Sequence, residues 1–378
     1  MKPRPCPEGD SMRLMICAGA SGGGVYPALA VLQALGKDGH EVLWIGGEGG
    51  MEAGLVQRAG LPFVAIPAGQ VVGVGLRALL GLFQLVRGYF AARKLVWQFK
   101  PDVLFFTGGF VSVPVGLAGR GLPMLLCLPD IEPAKALGLI SRYATAVAAP
   151  AEDSKAFFRP GLPVHVTGYP VRADLTGWDQ TAARREFGLD PAVPTLLVFG
   201  GSKGSLAINK AVVQGLHDLL SEMQILHVTG DATWDETRAA LPPLPEALRV
   251  RYKAYPYLHE QMGAAFAAAD LTVCRAGAST LGELPLFGLP AVLVPLPYFW
   301  RYQRVNAEYL ARHGAAQVLN DEDLETKLTA TLLELMHNES KRSAMQTAMR
   351  ALARPQAAAD IAGLLRQITA SSPVEAAR

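Results

Sequence analysis

Three glycine-bearing segments of the chain have the residue types and spacing to hold an anion. Residues 19–24 read GASGGG, 200–204 read GGSKG and 274–283 read CRAGASTLGE. Each follows a short apolar run and precedes a stretch of helical periodicity. Glycine lets the backbone approach a ligand with no Cβ in the way, and a helix N-terminus adds free N–H groups and a positive dipole end. One such turn at the head of each half of the chain predicts two phosphate-bearing ligands. With no ligand, the same turn is only a tight strand-to-helix connection. In the third segment Ala278, Ser279 and Thr280 place N–H groups and hydroxyls at a helix start, which suits a diphosphate. Glu283, one turn on, has the reach to accept from a ribose diol, and equally reads as a first-turn acid complementing the dipole. Gln303 and Asn306 lie three apart on one helix face, a spacing that fits sugar hydroxyls but also fits a face turned to water.

Other chemistries are excluded by pattern. Neither opening turn is GxGxxG, and GGSKGS lacks the order of a P-loop. The second strand ends Trp44-Ile45-Gly46-Gly47, with no acid to bind a nicotinamide ribose, so a dehydrogenase is not expected. No Asp-x-Asp closes a strand; Asp321 and Asp323 sit at a late helix start, so a metal-held diphosphate is not indicated and helix N-termini are expected to supply the positive potential. No cofactor and no metal site is expected. The 4 cysteines are far apart, which argues against zinc and disulfides and for reduced thiols. Lys+Arg 35 against Asp+Glu 33 gives +2, too balanced for nucleic acid to be a partner through bulk charge.

The elements that must position these residues are legible as well. At 378 residues, half of them hydrophobic and 18 % charged, the chain has the length and apolar content for two or three domains. Short β-rich runs alternate with helical stretches, the pattern of parallel α/β architecture. Strands are expected near 13–17, 41–45, 63–66, 102–106, 124–128, 145–148 and 164–166, with helices such as 25–37 and 111–120 between them. The pattern then restarts, with strands near 195–199, 224–228, 249–254, 271–274 and 291–294 and helices near 206–220, 280–287 and 302–312. The fold class expected is therefore α/β, two Rossmann-like parallel-sheet domains facing across a cleft. The first covers 12–172 and is completed by a C-terminal helix at about 352–370; the second covers 173–351. The last eight residues read as disordered. Residues 1–12 are polar and proline-rich, unlike a signal peptide, and Met12 is a second possible start. No run reaches the length of a spanning helix.

Residues 74–100 depart from an ordinary crossover. Among many apolar side chains stand Arg77, Arg87, Arg93, Lys94 and Lys100, with no acid. Arg77, Leu80, Phe83, Arg87, Phe90, Lys94 and Trp97 form an aromatic and basic set suited to an anionic membrane surface. The plainer alternative is a mostly buried helix whose charges are merely solvated.

Taken together, GASGGGVYPALAV, GGFVSVP (108–114), GYPVR (168–172), GGSKG and CRAGASTLGE resemble the MurG family, in register from about residue 13 to 354. Its members are N-acetylglucosaminyltransferases that convert the lipid-linked muramoyl-pentapeptide of peptidoglycan synthesis to its disaccharide. The resemblance implies a GT-B fold and metal-independent, inverting chemistry. It also implies a polyprenyl-diphosphate-linked acceptor on the N-terminal domain and UDP-GlcNAc on the C-terminal one. The enzyme would act peripherally at the cytoplasmic face of the cell membrane, and the family's membrane patch falls on 74–100. By motif, the donor residues are Arg172, Ser202, Ala278, Ser279, Thr280, Glu283, Gln303 and Asn306, with the backbone near Leu258 reading uracil. Ser21, Gly22, Gly23 and Gly24 match the turn for the acceptor diphosphate.

The sequence also departs from that family. Gly24 stands where the family's GGTGGH turn ends in histidine, and Cys127-Leu128-Pro129-Asp130 replaces H-E-Q-N. Tyr302 occupies the first of the family's paired sugar-binding positions. These changes fall on the acceptor side and at the edge of the sugar. With Gly24 unable to take a proton, Asp130 is the expected catalytic base and Glu132 the second candidate, although PDIEP also reads as a plain turn. The alternatives are a related GT-B transferase acting on another lipid acceptor, a non-catalytic UDP-sugar or lipid-binding relative, and an epimerase of the same fold.

Overall fold

The fold was analysed in a computed structural model, which describes residues 11–19, 22–36, 39–50, 52–69, 76–297 and 301–371. Ser21 and the side chains of Gly22, Arg77 and Leu80 lie outside that description. The chain divides into two units: Met1–Val171 with Pro355–Arg378, and Arg172–Arg354.

Unit 1 is a seven-stranded parallel sheet. Its strands are β1 (Arg13–Cys17), β2 (Glu41–Gly47), β3 (Phe63–Ile66), β4 (Val103–Phe106), β5 (Met124–Cys127), β6 (Ala146–Ala149) and β7 (Val164–Val166), in spatial order β3-β2-β1-β4-β5-β6-β7. In the central strands side chains alternate between two buried faces, so β4, β5 and β6 read as unbroken apolar runs. Leu14, Ile16, Val103 and Phe105 face α1 (Gly22–Leu35) and the C-terminal helix Ala357–Ala370. Met15, Cys17, Leu104 and Phe106 face the other layer, which includes α3 (Leu76–Phe99) and α4 (Ser112–Ala118). Between β2 and β3 lies α2 (Glu52–Arg58). The C-terminal helix is held to unit 1 by Ile361, Leu365 and Ile368 in the core and by Arg366, which donates to the Leu35 carbonyl at 2.8 Å.

Two boundaries in unit 1 differ from the sequence expectation. The helix expected at 25–37 begins at Gly22, so Gly22–Gly24 form its first turn. Those N–H groups need no intrahelical partner, and the Gly24 carbonyl gains one from the Thr107 hydroxyl at 2.6 Å. Of the 74–100 stretch, Leu76–Phe99 form one helix, α3, whose most deeply buried residues are small. Gly81 and Gly88 are buried and Ala92 is fully buried, and a Cβ on Gly88 would lie 2.2 Å from the Pro67 carbonyl.

Unit 2 repeats the plan with six parallel strands: β8 (Thr195–Phe199), β9 (Gln224–Val228), β10 (Tyr252–Tyr255), β11 (Leu271–Cys274), β12 (Ala291–Leu293) and β13 (Ala316–Val318), in spatial order β10-β9-β8-β11-β12-β13. β13 has no counterpart in the sequence reading; AQV has a single β-branched residue and a central glutamine, so it does not stand out as an apolar run. The helix expected at 206–220 is two, Leu206–Gln214 and Leu216–Glu222, bent at Gly215. The one expected at 280–287 is a 3₁₀ turn, Ala278–Leu281, followed by the short helix Glu283–Phe287.

Candidate functional site

In each sheet the strand order reverses direction beside the first strand of the unit, and ligands of such open sheets bind at the carboxyl ends of the strands flanking that point. In unit 2 those strands are β8 and β11, paired with Phe199 opposite Cys274. The turns 200–204 and 275–280 therefore leave the sheet side by side. The first is closed by the Gly204 N–H on the Gly201 carbonyl at 2.9 Å, with φ of +84° at Gly201 and +79° at Gly204. A Cβ on Gly204 would sit 2.1 Å from the Thr229 carbonyl, so only glycine fits. Ser205 then caps the following helix through the Ile208 N–H. Ser202 is exposed at the turn's corner.

Behind this turn lies a buried polar network that sequence reading missed. Asn209 donates to the Thr229 carbonyl at 3.0 Å and to the hydroxyls of Thr233 and Thr237, both at 3.1 Å. His227 bridges the Asn209 side-chain oxygen at 3.0 Å and the Tyr252 hydroxyl at 2.8 Å. Burial pushes His227 down to about 3, so it stays neutral. The ligating-type residues are here satisfied by each other, and they fix where the glycine turn sits.

In the third segment the Thr280 N–H and hydroxyl both go to the Gly277 carbonyl, at 3.1 and 2.6 Å, and Thr280 is buried. Half-buried Ala278 and Ser279 begin the 3₁₀ turn. Glu283 is half-buried; desolvation pushes its carboxyl up, against a hydrogen bond from the Ser279 side chain and the charge of Arg172. Arg172 in turn pairs with Asp174 at 3.3 Å. The Asn306 amide is fully buried and donates to the Ala276 carbonyl at 3.3 Å, while the Gln303 side-chain oxygen accepts from the Leu296 N–H at 3.1 Å. Both hold loops of the site in this state. Arg275, which the sequence did not single out, clamps Asp321 through two hydrogen bonds and donates to the Val294 carbonyl at 3.2 Å. Its partner lies 46 residues away, beyond any local pattern. Leu258 is buried on the loop leaving β10, two strands from β8.

In unit 1 the corresponding strands are β1 and β4, and their turns pack directly together. A Cβ on Gly109, where φ is +89°, would meet Gly19 backbone atoms at 3.1–3.2 Å. The Trp44 indole donates to the Ala18 carbonyl at 3.0 Å, and the Ser112 hydroxyl to the Gly108 carbonyl at 2.9 Å. Glu52, buried at the start of α2, accepts the Gly47 N–H at 2.8 Å. Thr107 and Glu52 are thus further residues that shape this turn; a polar residue at the end of an apolar strand was the available signal for Thr107. Asp130 and Glu132 are half-buried on the loop after β5, next to β4 in the sheet, and so about 10 Å from the β1 turn.

On α3 the face opposite the glycines carries Leu82, Phe83, Val86, Phe90 and Trp97, exposed by 47–73 %. Arg87, which stacks over Phe83 at 5.9 Å, and Lys94 are exposed among them. No described helix is long and apolar enough to cross a membrane.

Comparison with known proteins adds to this geometry. The glycosyltransferase family 28 N-terminal domain matches residues 14–148 and the C-terminal domain residues 195–362. A UDP-N-acetylglucosamine--N-acetylmuramyl-(pentapeptide) pyrophosphoryl-undecaprenol N-acetylglucosamine transferase of Roseiflexus sp. (strain RS-1) is 39 % identical, over 96 % of each chain. The chain belongs to the MurG family. The relative of the same name from Desulforamulus reducens is 36 % identical over 94 % of this chain and 99 % of its own. The crystal structure of MurG from Acinetobacter baumannii superposes with a TM-score of 0.76 at 27 % identity, covering 94 % of this chain and 99 % of that one. As in other MurG-family proteins, the two parallel sheets make this a GT-B fold. It is a glycosyltransferase of peptidoglycan synthesis.

Proposed function

We propose that this chain transfers N-acetylglucosamine from UDP-GlcNAc, bound on unit 2, to the lipid-linked N-acetylmuramoyl-pentapeptide, bound on unit 1, with inversion at the anomeric carbon. The observation that carries the donor half is the pairing of two anion-receiving turns, 200–204 and 275–280, on adjacent strands with Glu283 behind them. The Ser202 hydroxyl and the N–H groups of Ala278 and Ser279 would receive the diphosphate. Thr280, bonded to Gly277, shapes that turn, and Glu283 is placed for the ribose. Arg172 offsets the charge around Glu283, and the loop at Leu258 offers backbone groups to uracil. Gln303 and Asn306 hold the loops at the sugar's edge, and Gln303 is free to exchange its Leu296 contact for a sugar hydroxyl.

An acceptor hydroxyl attacks C1 of the sugar as the bond from C1 to the diphosphate oxygen breaks. The hydroxyl proton passes to Asp130, with Glu132 the second candidate, and UDP leaves with its charge held by the donor turns. Gly22, Gly23 and Gly24 in the first turn of α1 offer N–H groups to the acceptor diphosphate. The exposed face of α3 rests on an anionic lipid surface at the cytoplasmic side of the membrane, where this acceptor would be found.

Gly24 and Cys127–Asp130 favour one second reading, a different lipid-linked acceptor on the same donor chemistry. UDP release from UDP-GlcNAc, measured with a short-chain lipid I analogue and without any acceptor, separates the two. Acceptor-dependent release with a disaccharide product is expected. Donor binding without that release would reject the muramoyl acceptor.

A further inference from the structure

Lys203 and Ser202 are the two central residues of the closed turn 201–204, and both are exposed. Among the described residues no ion pair holds Lys203, whereas Lys210 on the following helix is tied to Glu236 at 2.9 Å. Near the neighbouring turn, by contrast, Arg275 is paired with Asp321 and Arg172 with Asp174. Arg172 is shared between Asp174 at 3.3 Å and the carboxyl of Glu283, so these three groups together carry one net negative charge when ionised. A diphosphate resting on the two adjacent turns would meet that negative surplus on the β11 side. On the β8 side it would meet an unpaired ammonium one residue from the serine hydroxyl.

We propose that Lys203 is a donor-binding and catalytic residue whose ammonium contacts the diphosphate of the nucleotide sugar and takes up leaving-group charge as the bond to C1 breaks. The inference rests on the donor reading above and adds a residue to it. A lysine suits the task, because its flexible stem brings a compact charge to a phosphate without fixed geometry. The rigid glycines on either side keep that stem anchored at the turn's corner.

Calorimetric titration of UDP and of uridine into the full chain tests it, with K203A, K203Q and K203R beside the wild type. K203A and K203Q should bind UDP about tenfold more weakly. Uridine affinity should not change, and K203R should restore UDP binding. With UDP-GlcNAc, kcat should fall along with the rise in KM, because the contact strengthens as charge develops on the leaving group. Wild type and K203A binding UDP equally well would overturn the role of Lys203 while leaving the donor reading standing. A wild type that binds UDP no better than uridine would overturn the donor reading and the lysine's role together.

Discussion

Replacing Phe90 and Trp97 with serine should detach the protein from anionic vesicles by an amount that the structure sets. Phe90 is 61 % exposed and Trp97 73 %. An aromatic side chain offers roughly 150–250 Å², so these two leave about 120 and 170 Å² open to lipid. Full burial at ~25 cal/mol per Å² would be worth about 3 and 4 kcal/mol. A helix lying in the headgroup region buries its apolar face only part-way, which leaves about 3 kcal/mol for the pair. F90S/W97S should therefore bind vesicles about a hundredfold more weakly. Co-sedimentation with sucrose-loaded vesicles of phosphatidylglycerol and phosphatidylcholine reads this directly. R87Q/K94Q should instead lose about 1 kcal/mol per charge, only on the anionic vesicles and less so at high salt. If F90S/W97S binds within twofold of wild type, α3 is not the docking face. Turnover of a water-soluble acceptor analogue should be unchanged in both variants, since neither pair touches the donor turns.

Three further outcomes follow from the geometry. D130N should lower kcat about a hundredfold or more with little change in UDP affinity, and unchanged kcat in a steady-state assay would remove Asp130 from its role. D321N leaves the Arg275 guanidinium, only 10 % exposed, without its charge partner and should destabilise unit 2 by about 2–4 kcal/mol in urea unfolding; a loss under 1 kcal/mol would mean the clamp is dispensable. His227 is held neutral at about 3, below its unfolded value, so the unfolded chain takes up a proton that the folded chain refuses as pH falls below about 6.5. By pH 4.5 that costs the fold about 2–3 kcal/mol. H227Q should start less stable at pH 7 and lose correspondingly less between pH 7 and 4.5 than wild type, and an equal loss would contradict the assignment.

What the sequence could and could not reveal follows from the range of the interactions. Both sheets were legible because their central strands are buried on two faces and read as continuous apolar runs; β13 was not, because AQV has a single β-branched residue and a glutamine at its centre. The turn at 200–204 was legible because glycine at positive φ is a local necessity. The clamp between Arg275 and Asp321, the Thr107 bond to Gly24, and the network from Asn209 through His227 to Tyr252 span 18 to 83 residues of sequence, and nothing local announces them. α3 was legible as unusual for a physical reason. Its basic residues stand among apolar and aromatic ones with no acid, and the structure exposes Leu82, Phe83, Val86, Phe90 and Trp97 while Gly81, Gly88 and Ala92 turn inward.

The same distinction separates the proposed donor site from the proposed acceptor site. In the proposed donor site a diphosphate would be received mainly by backbone N–H groups and by a turn whose shape glycine dictates, so the motif and the proposed role are nearly the same object. On unit 1 the strand ends are also tied by side chains: Trp44 to the Ala18 carbonyl, Thr107 to the Gly24 carbonyl, Ser112 to the Gly108 carbonyl, and the Gly47 N–H to Glu52. Proton transfer, however, needs a side chain at one particular place, and backbone cannot substitute for it. Position 24 shows the difference. A Cβ there would lie 3.3 Å from the Gly19 carbonyl and 3.7 Å from the Thr107 hydroxyl, so the turn closes around glycine without loss of shape. In the proposed acceptor site the N–H groups at the start of α1 would still receive an anion without a histidine, while the proton acceptor would come from elsewhere on the sheet edge. The loop after β5 carries Asp130 and Glu132, the carboxylates proposed for that role, whereas Glu52, beside Gly19, already accepts the Gly47 N–H.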